Sequence, residues 1–234
     1  MRQYDVIAFD ADDTLWHNEP LYTLTQGKFV DLLAGYHETE WIEQRLYETE
    51  IRNLELFGYG VKGFTLSMIE TAIELTEGRI QGREIEQIIS YCKGMLCAPV
   101  ELLEHVKETV PALAASHRLM IITKGDLFDQ EAKIARSGLA EYFDIIEIVS
   151  EKSAETYRAI LAKYELNART FLMVGNSLKS DILPVREIGA HALYVPYGTT
   201  WVHEQLSPAE IHEEYFELEH IGLLPEFLVE GGLT

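Results

Sequence analysis

The chain has 234 residues, 47% of them hydrophobic and 25% charged, which suits one large globular domain or one domain with a sizeable insertion and excludes global disorder. Its 39 acidic residues against 19 basic ones give a formal net charge of −20. Such a field repels DNA, RNA and anionic lipid, so nucleic-acid polymers and membrane surfaces are not expected partners; a small phosphorylated ligand is still compatible with it, because local lysines, backbone N–H groups and a metal ion can outweigh the global field.

The N-terminus leads straight into an apolar strand, residues 4–10, containing Val6-Ile7-Ala8-Phe9. A leader peptide is not expected, and no apolar run approaches the ~20 residues of a membrane helix. Four stretches with apolar residues at three-to-four spacing follow, at 20–33, 40–57, 65–77 and 84–92, punctuated by Gly58, Gly60, Gly63, Gly78 and Gly82. Four helices are too much for a simple crossover, so residues 17–97 are expected to form a helical-bundle cap. Residues 1–16 and 98–234 then form the core, with hinges near 16–19 and 96–99. Cys92 and Cys97 are the only cysteines and lack zinc-like spacing, so they read as reduced thiols in a cytoplasmic protein.

Beyond the insertion, strands are expected at 119–123, 143–149, 171–175 and 192–196. Helical patterns at 127–137, 154–164 and 180–188 lie between them, two of them closed by Gly138 and Gly189. Strand–helix alternation implies an α/β fold, a Rossmann-like parallel sheet covered on both faces. The segment 206–228 has helical periodicity and several acids; it would pack on the core or, in a homodimer, on a second subunit.

Ligands of such sheets sit beyond the carboxyl ends of the strands. Those ends carry Asp10-Ala11-Asp12-Asp13-Thr14, Thr123-Lys124-Gly125-Asp126, Ser150-Glu151-Lys152 and Gly175-Asn176-Ser177, with Asp181 shortly after. A carboxylate such as Asp10 can attack phosphorus and divide one hard displacement into two easier ones. A second one two residues on, Asp12, can move the proton of the leaving alcohol and then of water, while Asp13 suits a turn. Two acids and a phosphate dianion repel one another, a problem that a hard divalent cation resolves. Thr123 offers a hydroxyl to a phosphoryl group, the backbone N–H groups of Lys124 and Gly125 open a helix that suits an anion, and Lys152 offers charge.

In this order the motifs resemble the haloacid dehalogenase (HAD) superfamily, in its phosphatase branch with a helical cap after the first strand. The resemblance extends over essentially the whole chain. It implies a Mg²⁺-dependent phosphatase acting on a small-molecule phosphate monoester through an aspartyl-phosphate on Asp10. It further implies catalytic roles for Asp10, Asp12, Thr123 and Lys152. The Asp10 side chain, the Asp12 backbone carbonyl and the Asp181 side chain would be metal ligands. Two positions depart from the family pattern: Asn176 stands where many relatives carry Asp, and Ser153 rather than Pro follows Lys152, leaving Lys124 as the fallback cation.

The acid at position 12 argues against a dehalogenase, which needs the nucleophile but neither metal nor that acid. A sugar-phosphate mutase shares the core residues and stays an alternative, as does a non-catalytic phosphate- or metal-binding regulator. For substrate selection the expected cap loop is 58–64, with Lys62 meeting a second anion, and Trp16, His17 and Asn18 leading from the nucleophile loop to the site entrance.

Overall fold

The computed structural model describes residues 4–199, 201–206 and 215–231. Its sheet has six strands: β1 (Val6–Phe9), β2 (Arg118–Lys124), β3 (Ile145–Val149), β4 (Phe171–Gly175), β5 (His191–Tyr194) and β6 (Phe216–Glu217). Their spatial order is β3-β2-β1-β4-β5-β6, and every neighbouring pair is parallel. Strands β1 and β4 are buried on both faces, as the continuous runs Val-Ile-Ala-Phe and Phe-Leu-Met-Val-Gly require.

Alternate residues of these strands feed two separate cores, because side chains leave a strand with period two. Ile7, Phe9, Leu119, Ile121, Leu172 and Val174 join one cluster, together with Val106 and Val110 of α5 (Val106–Ala114) and Ile134 of α6 (Leu127–Ser137). Val6, Ala8, Met120, Ile122, Phe171 and Met173 join the other. There they meet Tyr157, Ile160 and Leu161 of α7 (Ala154–Lys163) and Val185 of α8 (Leu183–Glu187).

Four helices lie between β1 and α5 in the chain: α1 (Glu19–Leu33), α2 (Thr39–Phe57), α3 (Val61–Leu75) and α4 (Gly82–Cys97). The fold divides into two compact units, one of residues 1–17, 100–124 and 131–234, the other of residues 18–99 with 125–130. The second unit has its own core, in which Phe29, Leu33, Ile42, Leu46, Phe64, Met68 and Ile88 are buried. Cys92 is buried and Cys97 exposed, and both are free thiols. No helix among the described residues is long and apolar enough to cross a membrane.

Three expectations need correction. The helix expected over 180–188 begins earlier as a π-helical turn, Leu178–Ile182, and only then becomes α8. Pro184 lacks an N–H and so cannot donate in a helix running through it. The tail is not one helix: it gives β6, a 3₁₀ turn at Ile221–Leu223 and α9 (Leu224–Val229), while 207–214 lie outside the described residues. Trp16 does not line an entrance either. It is 1% exposed, because its indole packs into the core with Leu15 and Val106.

Candidate active site

The register sets the frame. Phe9 stands opposite Ile121 of β2 and Val174 of β4, so Asp10, Thr123 and Asn176 leave the same carboxyl edge of the sheet. The chain order reverses here, with later strands built outward on both sides of β1, and this is where α/β sheets open a crevice. The Asp10 N–H donates to the Val174 carbonyl at 2.9 Å, which ties the start of the loop to β4. The loop then turns sharply: the Leu15 N–H donates to the Ala11 carbonyl, and Asp13 adopts a left-handed conformation with φ of 61°. An Asp tolerates that region better than most residues.

Lys152 joins two acids from distant parts of the chain. Its ammonium donates to Asp10 Oδ1 and, at 2.7 Å, to Asp181 Oδ1. All three side chains are buried. Burial alone would lower the pKa of Lys152, but the charges of Asp10 and Asp181 outweigh it and hold the ammonium protonated. Burial, with the Asp181 charge beside it, pushes Asp10 up to about 7 even though Lys152 pulls the other way. The other Asp10 oxygen, Oδ2, lies 3.1 Å from the Thr14 hydroxyl, which is also 3.1 Å from Asn176 Oδ1. A hydroxyl has one proton, so Thr14 donates to one of them at a time and links Asn176 to Asp10.

Asp12 is held differently. Its Oδ1 accepts from the Trp16 indole N–H at 2.7 Å, and both of its oxygens lie 2.7 Å from Lys133 Nζ. Thr123 is buried at the end of β2, its hydroxyl 3.5 Å from the Lys124 carbonyl. The Lys124 side chain is engaged elsewhere: it donates to Ser180 Oγ at 2.9 Å and to Glu204 Oε1 at 2.6 Å. Burial works against the charge of Glu204, but Lys124 and the hydroxyls of Ser177 and Ser180 hold its pKa down at about 2.

Ser153, in place of the frequent Pro, caps α7 by accepting from the Thr156 N–H at 3.2 Å. In the other unit Lys62 donates to Asp126 Oδ1 at 2.9 Å, and Gly125 has a φ of 135° that L side chains rarely adopt.

Asp10, Lys152, Asp181 and Asn176 are thus brought together through direct contacts or through Thr14, whereas Lys124 and Lys62 are drawn into other ion pairs. Sequence reasoning missed Lys133, Glu204 and Ser180, and gave Ser177 no role although it stands in the motif after β4. No local signal marks Lys133, one of several charged residues on α6, or Glu204, which follows no recognisable motif. Thr14 stood inside the first motif and could have been given a role from its position.

A Mg²⁺ ion suits these donors. Among the described residues no three His, Cys, Asp or Glu side chains converge on one point. The two buried carboxylates of Asp10 and Asp181 nonetheless match an ion that binds through few carboxylates and completes its shell with water and phosphate. Burial is the main cause that raises Asp10, and the Asp181 charge adds to it; a cation beside the two carboxylates would offset that added repulsion.

The chain is similar to several known proteins. A solved haloacid dehalogenase-like family hydrolase from Xanthomonas campestris is 42% identical, superposes with a TM-score of 0.87, and matches over 97% of this chain and 91% of its own. Human N-acylneuraminate-9-phosphatase is 27% identical over 209 residues, 85% of this chain and 82% of the relative. A pyrimidine 5′-nucleotidase of Escherichia coli is 24% identical over 196 residues, 77% of this chain and 81% of the relative. The family model for haloacid dehalogenase-like hydrolases matches residues 4–189, which include every residue of the Asp10–Lys152–Asp181 constellation, and the chain belongs to that family.

Proposed function

We propose that this protein hydrolyses a small-molecule phosphate monoester, with Asp10 as nucleophile, Asp12 as general acid and base, and Mg²⁺ as cofactor. The observation that carries the reading is the Lys152 ammonium held between the Asp10 and Asp181 carboxylates at the carboxyl edge of β1 and β4. Two relatives of this chain are named as a phosphatase and a nucleotidase, which favours phosphoryl chemistry over dehalogenation. So does the acid at position 12, which a dehalogenase does not need.

In this mechanism an Asp10 oxygen forms a bond to phosphorus as the bond from phosphorus to the leaving oxygen breaks. Asp12 gives its proton to that oxygen, which departs as an alcohol. A water molecule then attacks the phosphorus, Asp12 takes a proton from it, and the bond between Asp10 and phosphorus breaks. Inorganic phosphate leaves and both carboxyl groups regain their starting states. Lys152 offsets negative charge on Asp10 and the phosphoryl oxygens, and Thr123 donates its hydroxyl to them. Lys124 serves through its backbone N–H, since its side chain is bound to Glu204. Mg²⁺ would be held by the side chains of Asp10 and Asp181 and the backbone carbonyl of Asp12. When bound it supplies positive charge against the phosphoryl group.

The experiment is turnover of p-nitrophenyl phosphate and a panel of metabolite monoesters with Mg²⁺, with EDTA and with Asp10→Asn. Hydrolysis that disappears in EDTA and in the variant is expected. Undiminished hydrolysis by Asp10→Asn, or silence across the whole panel, would overturn the assignment.

A further inference from the structure

The turn that carries Asp181 is braced by a carboxylate from a distant segment. The π-helical turn Leu178–Ile182 is of a rare type, which occurs mostly as single turns and frequently at functional sites. Its entry is tied together internally. The Ser177 N–H donates to Asp181 Oδ2 at 3.0 Å, the Asp181 N–H returns a bond to the Ser177 carbonyl at 2.8 Å, and the Ser180 N–H donates to Ser177 Oγ at 3.0 Å. Tyr157, from α7, donates its hydroxyl to the Ser180 carbonyl at 3.0 Å.

These bonds leave the protons of both serine hydroxyls to be placed. Glu204 Oε2 accepts them, at 2.5 Å from Ser177 Oγ and 2.6 Å from Ser180 Oγ, while Oε1 accepts from Lys124. Lys124 closes the ring by donating to Ser180 Oγ. The entry and the middle of the turn are thus held by one carboxylate, which arrives on a 3₁₀ turn, Val202–Glu204, beyond the stretch matched by the family model. Hydrogen bonds to a charged acceptor are about twice as strong as neutral ones, and a fully satisfied network holds one arrangement.

We infer that Glu204 is a positioning residue for Mg²⁺ binding: through Ser177 and Ser180 it holds Asp181 in the orientation in which its carboxylate can meet the ion beside Asp10. The inference rests on the Mg²⁺-dependent reading proposed above. It also gives Lys124 a purpose, as the cation that lets a carboxylate be buried there without remaining unpaired. Partners that orient metal ligands typically matter by 10–100-fold in metal affinity or activity.

The test is Mg²⁺ binding to the full chain by titration calorimetry, together with the Mg²⁺ concentration giving half-maximal turnover of the best monoester. Wild type is compared with Glu204→Gln and, should that variant fold poorly, with Ser177→Ala; thermal melts in EDTA report folding. The expected result is binding about 10–100-fold weaker in the variants, with turnover recovering most of its wild-type value at saturating Mg²⁺. A role confined to folding would not produce that recovery. Variants that fold and bind Mg²⁺ with wild-type affinity overturn the inference alone. A wild type that neither binds nor uses Mg²⁺ overturns the underlying reading, and the inference with it.

Discussion

Lys133 reaches from α6 to place its ammonium 2.7 Å from both carboxylate oxygens of Asp12. Both groups belong to the same compact unit, and the lysine side chain is largely buried, so little solvent screens the pair. With the Trp16 indole N–H on Oδ1, the carboxylate of Asp12 is fixed from two directions. If Asp12 delivers the proton to the leaving group, its aim depends on these two contacts.

Lys133→Met should therefore slow hydrolysis of an alkyl phosphate by one to two orders of magnitude, within the ~10²–10⁴-fold that a positioned acid contributes. Hydrolysis of p-nitrophenyl phosphate, whose leaving group departs without a proton, should fall far less. Steady-state kinetics on the two esters measures the difference. Equal losses on both would mean that Lys133 supports the fold and not the acid.

Lys152 is the cation on which two buried acids depend. Lys152→Met should abolish turnover and also destabilise the protein by about 3–5 kcal/mol, because Asp10 and Asp181 would face each other uncompensated. Urea denaturation measures the loss. Adding Asp10→Asn to the same chain removes one of the two charges and should return part of the stability without restoring activity. A double variant no more stable than Lys152→Met would show that the repulsion is relieved in some other way.

The contrast between Lys152 and Lys133 shows what a sequence makes legible. Lys152 follows a strand, and strand ends converge in a parallel sheet, so its meeting with Asp10 follows from topology. Lys133 lies within a helix whose rotation about its axis is set by how Ile134 and its neighbours pack, which no local pattern records. Glu204 is less legible still, since a long-range contact between an irregular segment and a π turn leaves no periodicity. The strands were readable for the opposite reason: β1 and β4 are buried on both faces and appear as unbroken apolar runs. Strand β6, two residues long with both exposed, has no such signature and was read as part of a helix.

Gly175 closes β4 against Asp181, and a methyl group there has no room. A Cβ at this position would lie 2.3 Å from Asp181 Oδ2 and 2.4 Å from its Cγ, far inside contact distance. Gly175→Ala should displace the Asp181 carboxylate, lowering turnover by at least tenfold, on the scale of losses seen when ligand orientation is disturbed. Overpacking should cost about 1–3 kcal/mol of stability. Kinetics at increasing Mg²⁺ and a thermal melt check both effects. A fully active variant would mean that Asp181 has freedom to move aside.

Glu50, half-buried on α2, has its pKa raised to about 8 by burial and by the charge of Glu19. An unfolded Glu titrates near 4.5. Between those values the folded chain binds the extra proton, so stability attributable to this group is present below about pH 4.5 and is lost as pH rises toward 8. Glu50→Gln removes that dependence. The variant should match wild type near pH 4 and exceed it above pH 8 by on the order of 2 kcal/mol, allowing for partial screening of a half-buried charge. Urea denaturation at the two pH values reads the difference directly. An equal offset at both would point to packing in place of ionisation, and a less stable variant at high pH would mean that Glu50 is ionised and stabilising in the folded protein.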